Sequence, residues 1–224
     1  MIEFIKDCTG IILAGGENTR MPVLKAFMEV KGQKIIERNL RIIKKLFSEV
    51  YIVTNQPEAF AYLAVPMLGD TYNTRGPMTG IFTSLLNARS PWVFISACDM
   101  PFITNRLITY MASKKDHADA VVPISRPVAQ KGIPVDFIEP LFAFYSRKLV
   151  LSMEKAVLRD HKSLRDFLRT KRVNYISVKD IRKIEPNESI FVNLNSPEDV
   201  DQHLSMKDKI RFKSKVQRRR KCLV

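Results

Sequence analysis

Two cations, a pair of glycines and two carboxylates are the residues of this chain whose types and spacing could do chemistry. From Gly10 to Lys25 the sequence reads Gly-Ile-Ile-Leu-Ala-Gly-Gly-Glu-Asn-Thr-Arg-Met-Pro-Val-Leu-Lys. An apolar run suited to a buried strand meets Gly15-Gly16, which let the backbone turn with its N–H groups exposed and no Cβ in a ligand's way. Arg20 and Lys25 then supply positive charge, so the stretch reads as a strand delivering a loop to a phosphate; a glycine turn between a strand and surface charges would account for the same residues. Neither a Gly-Lys-Ser/Thr ending nor a Gly-x-Gly-x-x-Gly spacing is present, which excludes the P-loop and the dinucleotide fingerprint.

The remaining candidates are Asn55, Asp70 and Asp99, each placed where an apolar run stops. A turn or a helix cap would explain any one of them. A carboxylate at such a place cannot bind phosphate directly, but it can hold a magnesium ion that bridges to phosphate oxygens, and magnesium commonly takes one or two carboxylates.

These residues need elements to position them. Ile36, Leu40, Ile43 and Phe47 recur at helical spacing between Gly32 and Glu49. Val50–Thr54 reads as a strand ending at Asn55, a short helix follows Pro57, and Val65–Leu68 is a weak strand ending at Gly69-Asp70. An exposed turn at 71–76 leads to Pro77, which opens a helix with Ile81, Leu85 and Ala88 on one face. Trp92–Ala97 is a buried strand running into Cys98-Asp99, and Thr104 caps a helix reaching about Lys114. Further strands are expected at 118–124, 141–145, 173–178 and 190–194, with helices at 147–158, at 163–169 and after Ser196-Pro197. Prolines and a glycine break the pattern between Ser125 and Phe137, a connection long enough to be functional. Alternating strands and helices predict an α/β fold, a single domain with a doubly wound, mostly parallel sheet, and they put Gly15-Gly16, Asn55, Asp70 and Asp99 at the carboxyl ends of four strands, the edge where open α/β sheets bind ligands.

Composition narrows the class. The chain has 224 residues, 46% of them hydrophobic, enough for one substantial domain. No apolar run approaches a membrane span and the N-terminus lacks a secretory layout, so cytoplasm is the expected address. Cys8, Cys98 and Cys222 form neither a Cys-x-x-Cys pair nor an even set and read as reduced thiols, with Cys98 expected buried. His117, His161 and His203 stand alone, without metal-ligand spacing. The net charge is +14, and residues 207–224 hold nine Lys or Arg against Asp208 alone. We therefore expect one domain over 1–206 and a basic tail over 207–224, a solvated end or one that binds nucleic acid, an acidic partner protein or a negatively charged ligand. Phe212 is its one aromatic residue, so sequence-specific reading of nucleic acid is not expected.

Leu13-Ala14-Gly15-Gly16, Arg20-Met21 and Lys25-Ala26 resemble the signature of the molybdenum cofactor guanylyltransferase family, the molybdopterin nucleotidyltransferases. The chain departs from that signature at Glu17, Pro22 and Leu24, where the family carries a small residue, Gly and Asp. Gly76-Pro77-Met78-Thr79-Gly80-Ile81, Cys98-Asp99-Met100-Pro101-Phe102 and Phe191-Val-Asn-Leu-Asn-Ser-Pro-Glu-Asp199 are similar to its other motifs, as are Glu139–Tyr145 and Ser163–Asp166, so the resemblance covers most of 10–205. It implies a Rossmann-like nucleotidyltransferase fold in which Leu13, Ala14, Gly15 and Lys25 contact the nucleotide, Asn55 and Asp70 lie around its base or ribose, and Asp99 binds both nucleotide and Mg2+. Arg20, Lys25 and Asp99 would be the catalytic groups, and Asn193 and Asn195 would face the second substrate or the metal.

The activity so implied is transfer of GMP from GTP to the phosphate of molybdenum-molybdopterin, releasing pyrophosphate. Its partners would be GTP, molybdenum-molybdopterin and the apo-enzymes that receive the product. An acceptor phosphate is already a nucleophile, so no Ser/His/Asp arrangement is needed and catalysis can rest on alignment and charge neutralisation. The Leu-Ala-Gly-Gly form of the loop resembles the guanylyl branch. Two alternatives stay open: a related nucleotidyltransferase acting with CTP or on a sugar phosphate, and a non-enzymatic chaperone for the cofactor, against which the presence of Asp99 argues.

Overall fold

The computed structural model describes residues 4–15, 25–30, 32–74, 76–125, 138–160, 163–186 and 188–191. Strand β1 (Cys8–Leu13) is buried along its whole length because it has a neighbour on each side and helices above and below. It is flanked in parallel by β4 (Glu49–Val53) and β6 (Trp92–Ala97), and β4 is flanked in turn by β5 (Met67–Leu68), also parallel. Beyond β6 come β8 (Phe142–Ser146), then β7 (Ala120–Pro123), then β9 (Val173–Ile176), completing a seven-stranded sheet among the described residues in the order β5-β4-β1-β6-β8-β7-β9. Strand β8 runs antiparallel to both neighbours, and β7 and β9 pair in parallel, so the expected mostly parallel sheet is found with one reversed strand in it.

Successive strand residues point to opposite faces, and each face has its own core. Cys8, Ile12, Phe94, Phe142 and Phe144 pack beneath α1 (Ile35–Leu46), α4 (Asn105–Ala112) and α7 (Val178–Ile184). Ile11, Leu13, Val93, Ile95, Ala143 and Tyr145 pack beneath α3 (Pro77–Asn87), α5 (Val150–Leu158) and α6 (Leu164–Arg169). The chain is thus doubly wound, as the alternation of elements predicts. Helix α1 presses onto β1 closely enough that a Cβ on Gly10 would stand 2.6 Å from Ile43 Cγ2 and 2.7 Å from Phe47 Cδ2. Thr104 accepts a hydrogen bond from the Leu107 N–H at 3.4 Å, the expected N-cap, and α2 (Pro57–Phe60) follows Pro57 as read.

Three readings need correction, and one element has no counterpart in the sequence reading. The strand expected over 173–178 stops at Ile176, and α7 begins at Val178 because the Ser177 hydroxyl accepts from the Asp180 N–H at 3.1 Å and caps it. Glu188–Phe191 is a 3-10 turn, so the strand expected over 190–194 does not begin at Ile190, which is buried in the core on the α1 side of the sheet; residues 192–194 lie outside the described residues. A two-stranded hairpin, β2 (Glu29–Val30) with β3 (Gln33–Lys34), turns at Gly32, whose φ of 77° suits glycine, and leads directly into α1. Cys98, expected buried, is only partly so, although burial and the neighbouring Asp99 carboxylate push its thiol up to about 12. The helix after Ser196, the tail from 207, Cys222, His161 and His203 lie outside the described residues.

Candidate functional site

Because β5, β4, β1 and β6 are mutually parallel neighbours, their carboxyl ends lie side by side and present, in that order, Asp70, Asn55, Ala14-Gly15 and Asp99. The β1 end is fixed from both sides. The Ala14 N–H donates to the Val53 carbonyl at 2.8 Å, the Thr54 hydroxyl donates to the Ala14 carbonyl at 3.2 Å, and the Cys98 N–H donates to the Leu13 carbonyl at 3.0 Å. At Gly15 a Cβ would meet nothing within 4 Å among the described residues. Thr54, 3% exposed, is a residue that the sequence marks only as the end of a strand, yet from the end of β4 it ties β1 to β5, since its own N–H also donates to the Leu68 carbonyl at 2.9 Å.

Asn55 and Asp70 grip one another. Asn55 Nδ2 donates to Asp70 Oδ2 at 2.8 Å, and the Asp70 N–H donates to Asn55 Oδ1 at 2.9 Å. Burial holds the Asp70 carboxyl above the ordinary carboxylate range, with the Asn55 amide pulling the other way. The segment that follows is anchored on α3 and α5: the Thr71 N–H donates to Thr83 Oγ1 at 3.0 Å, and Tyr72 stacks on Phe82 and donates to Glu154 at 2.8 Å. Gly80 completes this side; a Cβ there would stand 3.3 Å from Leu13 Cδ2 and 3.8 Å from Asp70 Oδ1, so Leu13 and Asp70 border the same point.

On the other side of β1, a 3-10 turn over Lys25–Phe27 brings Lys25 Nζ to 3.6 Å from Asp99 Oδ2, with side chains 27% and 19% exposed. Burial raises the Asp99 carboxyl above its usual range, and the Lys25 ammonium is the largest influence lowering it. A carboxylate is a hard oxygen ligand for a divalent cation, which would have to compete with the Lys25 ammonium for Asp99. Among the described residues no three His, Cys, Asp or Glu side chains gather as a metal cluster. This donor set suits an ion that takes one or two carboxylates and fills its shell with water and phosphate oxygens, and does not suit a closed Cys/His site. Arg20, Glu17, Pro22, Leu24, Asn193 and Asn195 lie outside the described residues.

A strand edge that brings together a glycine at the end of β1, an ammonium and one desolvated carboxylate is equipped to hold a polyphosphate and move a phosphoryl-type group, which defines the class as a nucleotide-handling α/β protein. Residues 10–175 match the family described as the MobA-like NTP transferase domain. The chain belongs to that family and is a nucleotidyltransferase. It is 33% identical over 210 residues to a probable molybdenum cofactor guanylyltransferase of Peptoclostridium acidaminophilum, covering 93% of this chain and 94% of the relative. It is 34% identical over 197 residues to the molybdenum cofactor guanylyltransferase of Syntrophotalea carbinolica, covering 88% and 90%. Among solved structures, molybdopterin-guanine dinucleotide biosynthesis protein A from Archaeoglobus fulgidus superposes with a TM-score of 0.72 at 23% identity over 87% of this chain and 95% of that one, a likeness of fold.

Proposed function

We propose that this protein transfers a guanylyl group from GTP to the phosphate of molybdenum-bound molybdopterin. A P–O bond forms between the acceptor phosphate oxygen and the α-phosphorus of GTP, the bond from that phosphorus to the bridging oxygen breaks, and pyrophosphate leaves. The observation that carries this reading is the likeness, across about nine-tenths of the chain, to relatives bearing that name. In this reading Gly15 and the glycine turn receive the triphosphate with backbone N–H groups, Ala14 borders it with its own N–H committed to Val53, and Lys25 sits where negative charge grows on the departing pyrophosphate. Leu13, Asn55 and Asp70 border the base or ribose. Arg20 adds a second cation to the phosphates.

Asp99 is the residue we assign to hold Mg2+, which when bound neutralises charge between nucleotide and acceptor. Guanine offers donors at its ring N–H and exocyclic amine, which suits the carboxylate of Asp70; cytosine presents acceptors at the corresponding edge. The acceptor phosphate needs no protein base, so the chain's work is to align two anions and screen them from each other. The test is a panel of the nucleoside triphosphates with Mg2+, with and without molybdenum-molybdopterin, read by pyrophosphate release and product mass. GTP- and acceptor-dependent release with a product heavier than the acceptor by one GMP residue is expected. Preference for CTP, or a sugar phosphate serving as acceptor, would replace the guanylyl assignment.

A further inference from the structure

Helix α1 buries Ile35, Ile36, Leu40, Ile43 and Leu46, and among them Asn39, which is fully buried. An apolar side chain would fill that position without desolvating an amide. Asn39 Nδ2 donates to the Met100 carbonyl at 3.1 Å, while its Oδ1 is buried with no hydrogen-bond partner among the described residues. Half of this amide is therefore a liability, and the half that bonds reaches the residue next to Asp99.

We infer that Asn39 is a positioning residue for the transfer reaction, holding the turn that aims Asp99 toward Lys25; the inference rests on the role proposed above for Asp99. The turn has two fixed points. Before Asp99, the Cys98 N–H is bound to the Leu13 carbonyl at 3.0 Å; after it, the Met100 carbonyl is bound by Asn39. Met100 is 1% exposed, so its carbonyl must find its donor within the protein.

The same helix holds the other member of the pair. One turn before Asn39, the Ile35 N–H donates to the Met28 carbonyl at 2.9 Å, and the Met28 N–H donates to the Lys25 carbonyl at 3.1 Å. Helix α1 is thus a common frame: Ile35 ties down the turn bearing Lys25, and Asn39 the turn bearing Asp99. The 3.6 Å separation of ammonium and carboxylate is set through this frame, so a change at residue 39 alters the pair without touching either substrate.

Two variants that both lack the donor but differ in packing separate positioning from plain stability. Asn39→Leu fills the space and removes the unpaired oxygen; Asn39→Ala leaves a cavity. The full chain is titrated with Mn2+, read by loss of the free-ion paramagnetic resonance signal, alongside thermal unfolding and steady-state kinetics with GTP. Both variants are expected to lose about tenfold or more in Mn2+ affinity, as outer-shell changes do, and to lose kcat more than they raise KM, although Asn39→Leu, which leaves no cavity, melts above Asn39→Ala. Wild-type Mn2+ affinity in Asn39→Leu, or function that follows melting temperature across the two variants, overturns the inference. So does loss of the fold in both, since a positioning residue is dispensable for folding. A wild type that binds no Mn2+ removes its premise at Asp99. A wild type that binds Mn2+ but turns over no nucleotide refutes the proposed function instead, and the Mn2+ titrations of the variants still decide the role of Asn39.

Discussion

Asn55 and Asp70, fifteen residues apart in sequence, exchange two hydrogen bonds across the ends of β4 and β5, and one oxygen of the carboxylate is consumed in the exchange. Asp70 Oδ1 is the oxygen beside Gly80 and Leu13, so a nucleotide base would meet one acceptor held rigid by Asn55. In a competition assay Asp70→Ala should therefore narrow the preference for GTP over CTP; an unchanged ratio would leave base choice to backbone groups.

Asp70 also carries a pH signature. Its folded carboxyl holds a proton more tightly than the ordinary value, chiefly through burial, so the ionised form disfavours the folded state. That penalty is present above the raised folded value and is gone below the unfolded one. Asp70→Asn can still accept from Asn55 without the charge. It should match or exceed the wild-type melting temperature near neutrality, and the gap should close as pH falls through the carboxylate range.

Gly10→Ala tests the closeness of α1 to the sheet. The new Cβ would lie within 2.7 Å of Ile43 and Phe47, and the fully buried Phe47 ring is itself stacked on Phe94 at 5.5 Å, so it has little room to retreat. Overpacking of this kind costs about 1–3 kcal/mol, readable as a lower urea midpoint with unchanged slope.

Much of this was legible because the signals are local. Ile36, Leu40 and Ile43 repeat at helical spacing, Pro77 and Thr104 mark helix starts, and the runs ending at Asn55, Asp70 and Asp99 proved to be neighbouring parallel strands. What was missed is non-local or short. Apolar alternation does not say which way a strand runs, so the reversal of β8 had to come from pairing, although the want of a helical stretch between Ile124 and Leu141 was a clue. Ser177 with Asp180 three residues on was a capping signal for α7, overshadowed by the β-branched Val178. Asn39 stands three residues after Ile36 and four before Ile43, on the apolar face, and a polar residue there is the one sequence mark of the bond to Met100. The meeting of Lys25 with Asp99 spans 74 positions and could only be seen in the fold.

Removing residues after Lys207 should leave GTP turnover with the molybdopterin acceptor largely unchanged, since every motif named above precedes that point and the family match ends at 175. Eight cations in so short a stretch repel one another and disfavour burial in a core. We expect the truncated protein to keep its melting temperature and to lose salt-sensitive association with an acidic partner, such as an apo-enzyme receiving the product, in a pull-down at graded ionic strength. Aggregation of the truncated chain would show that the segment is structural.

The sharpest test falls on the pair at the edge of β6. Lys25 is partly exposed and its charge is spent on Asp99, so Lys25→Ala should fold normally. Yet if the ammonium faces the charge that grows as pyrophosphate departs, turnover should drop by about two orders of magnitude or more. Asp99→Asn keeps the shape of the side chain but exchanges a hard anionic oxygen for a neutral amide, so its deficit should be partly rescued by raising Mg2+. Lys25→Ala has no such deficit to refill, because the ammonium is the group lost. Turnover measured against Mg2+ for both variants should give a rising curve for Asp99→Asn and a flat, low one for Lys25→Ala. Wild-type turnover in a folded Lys25→Ala, or unaltered Mg2+ dependence in Asp99→Asn, would remove the respective residue from the reaction.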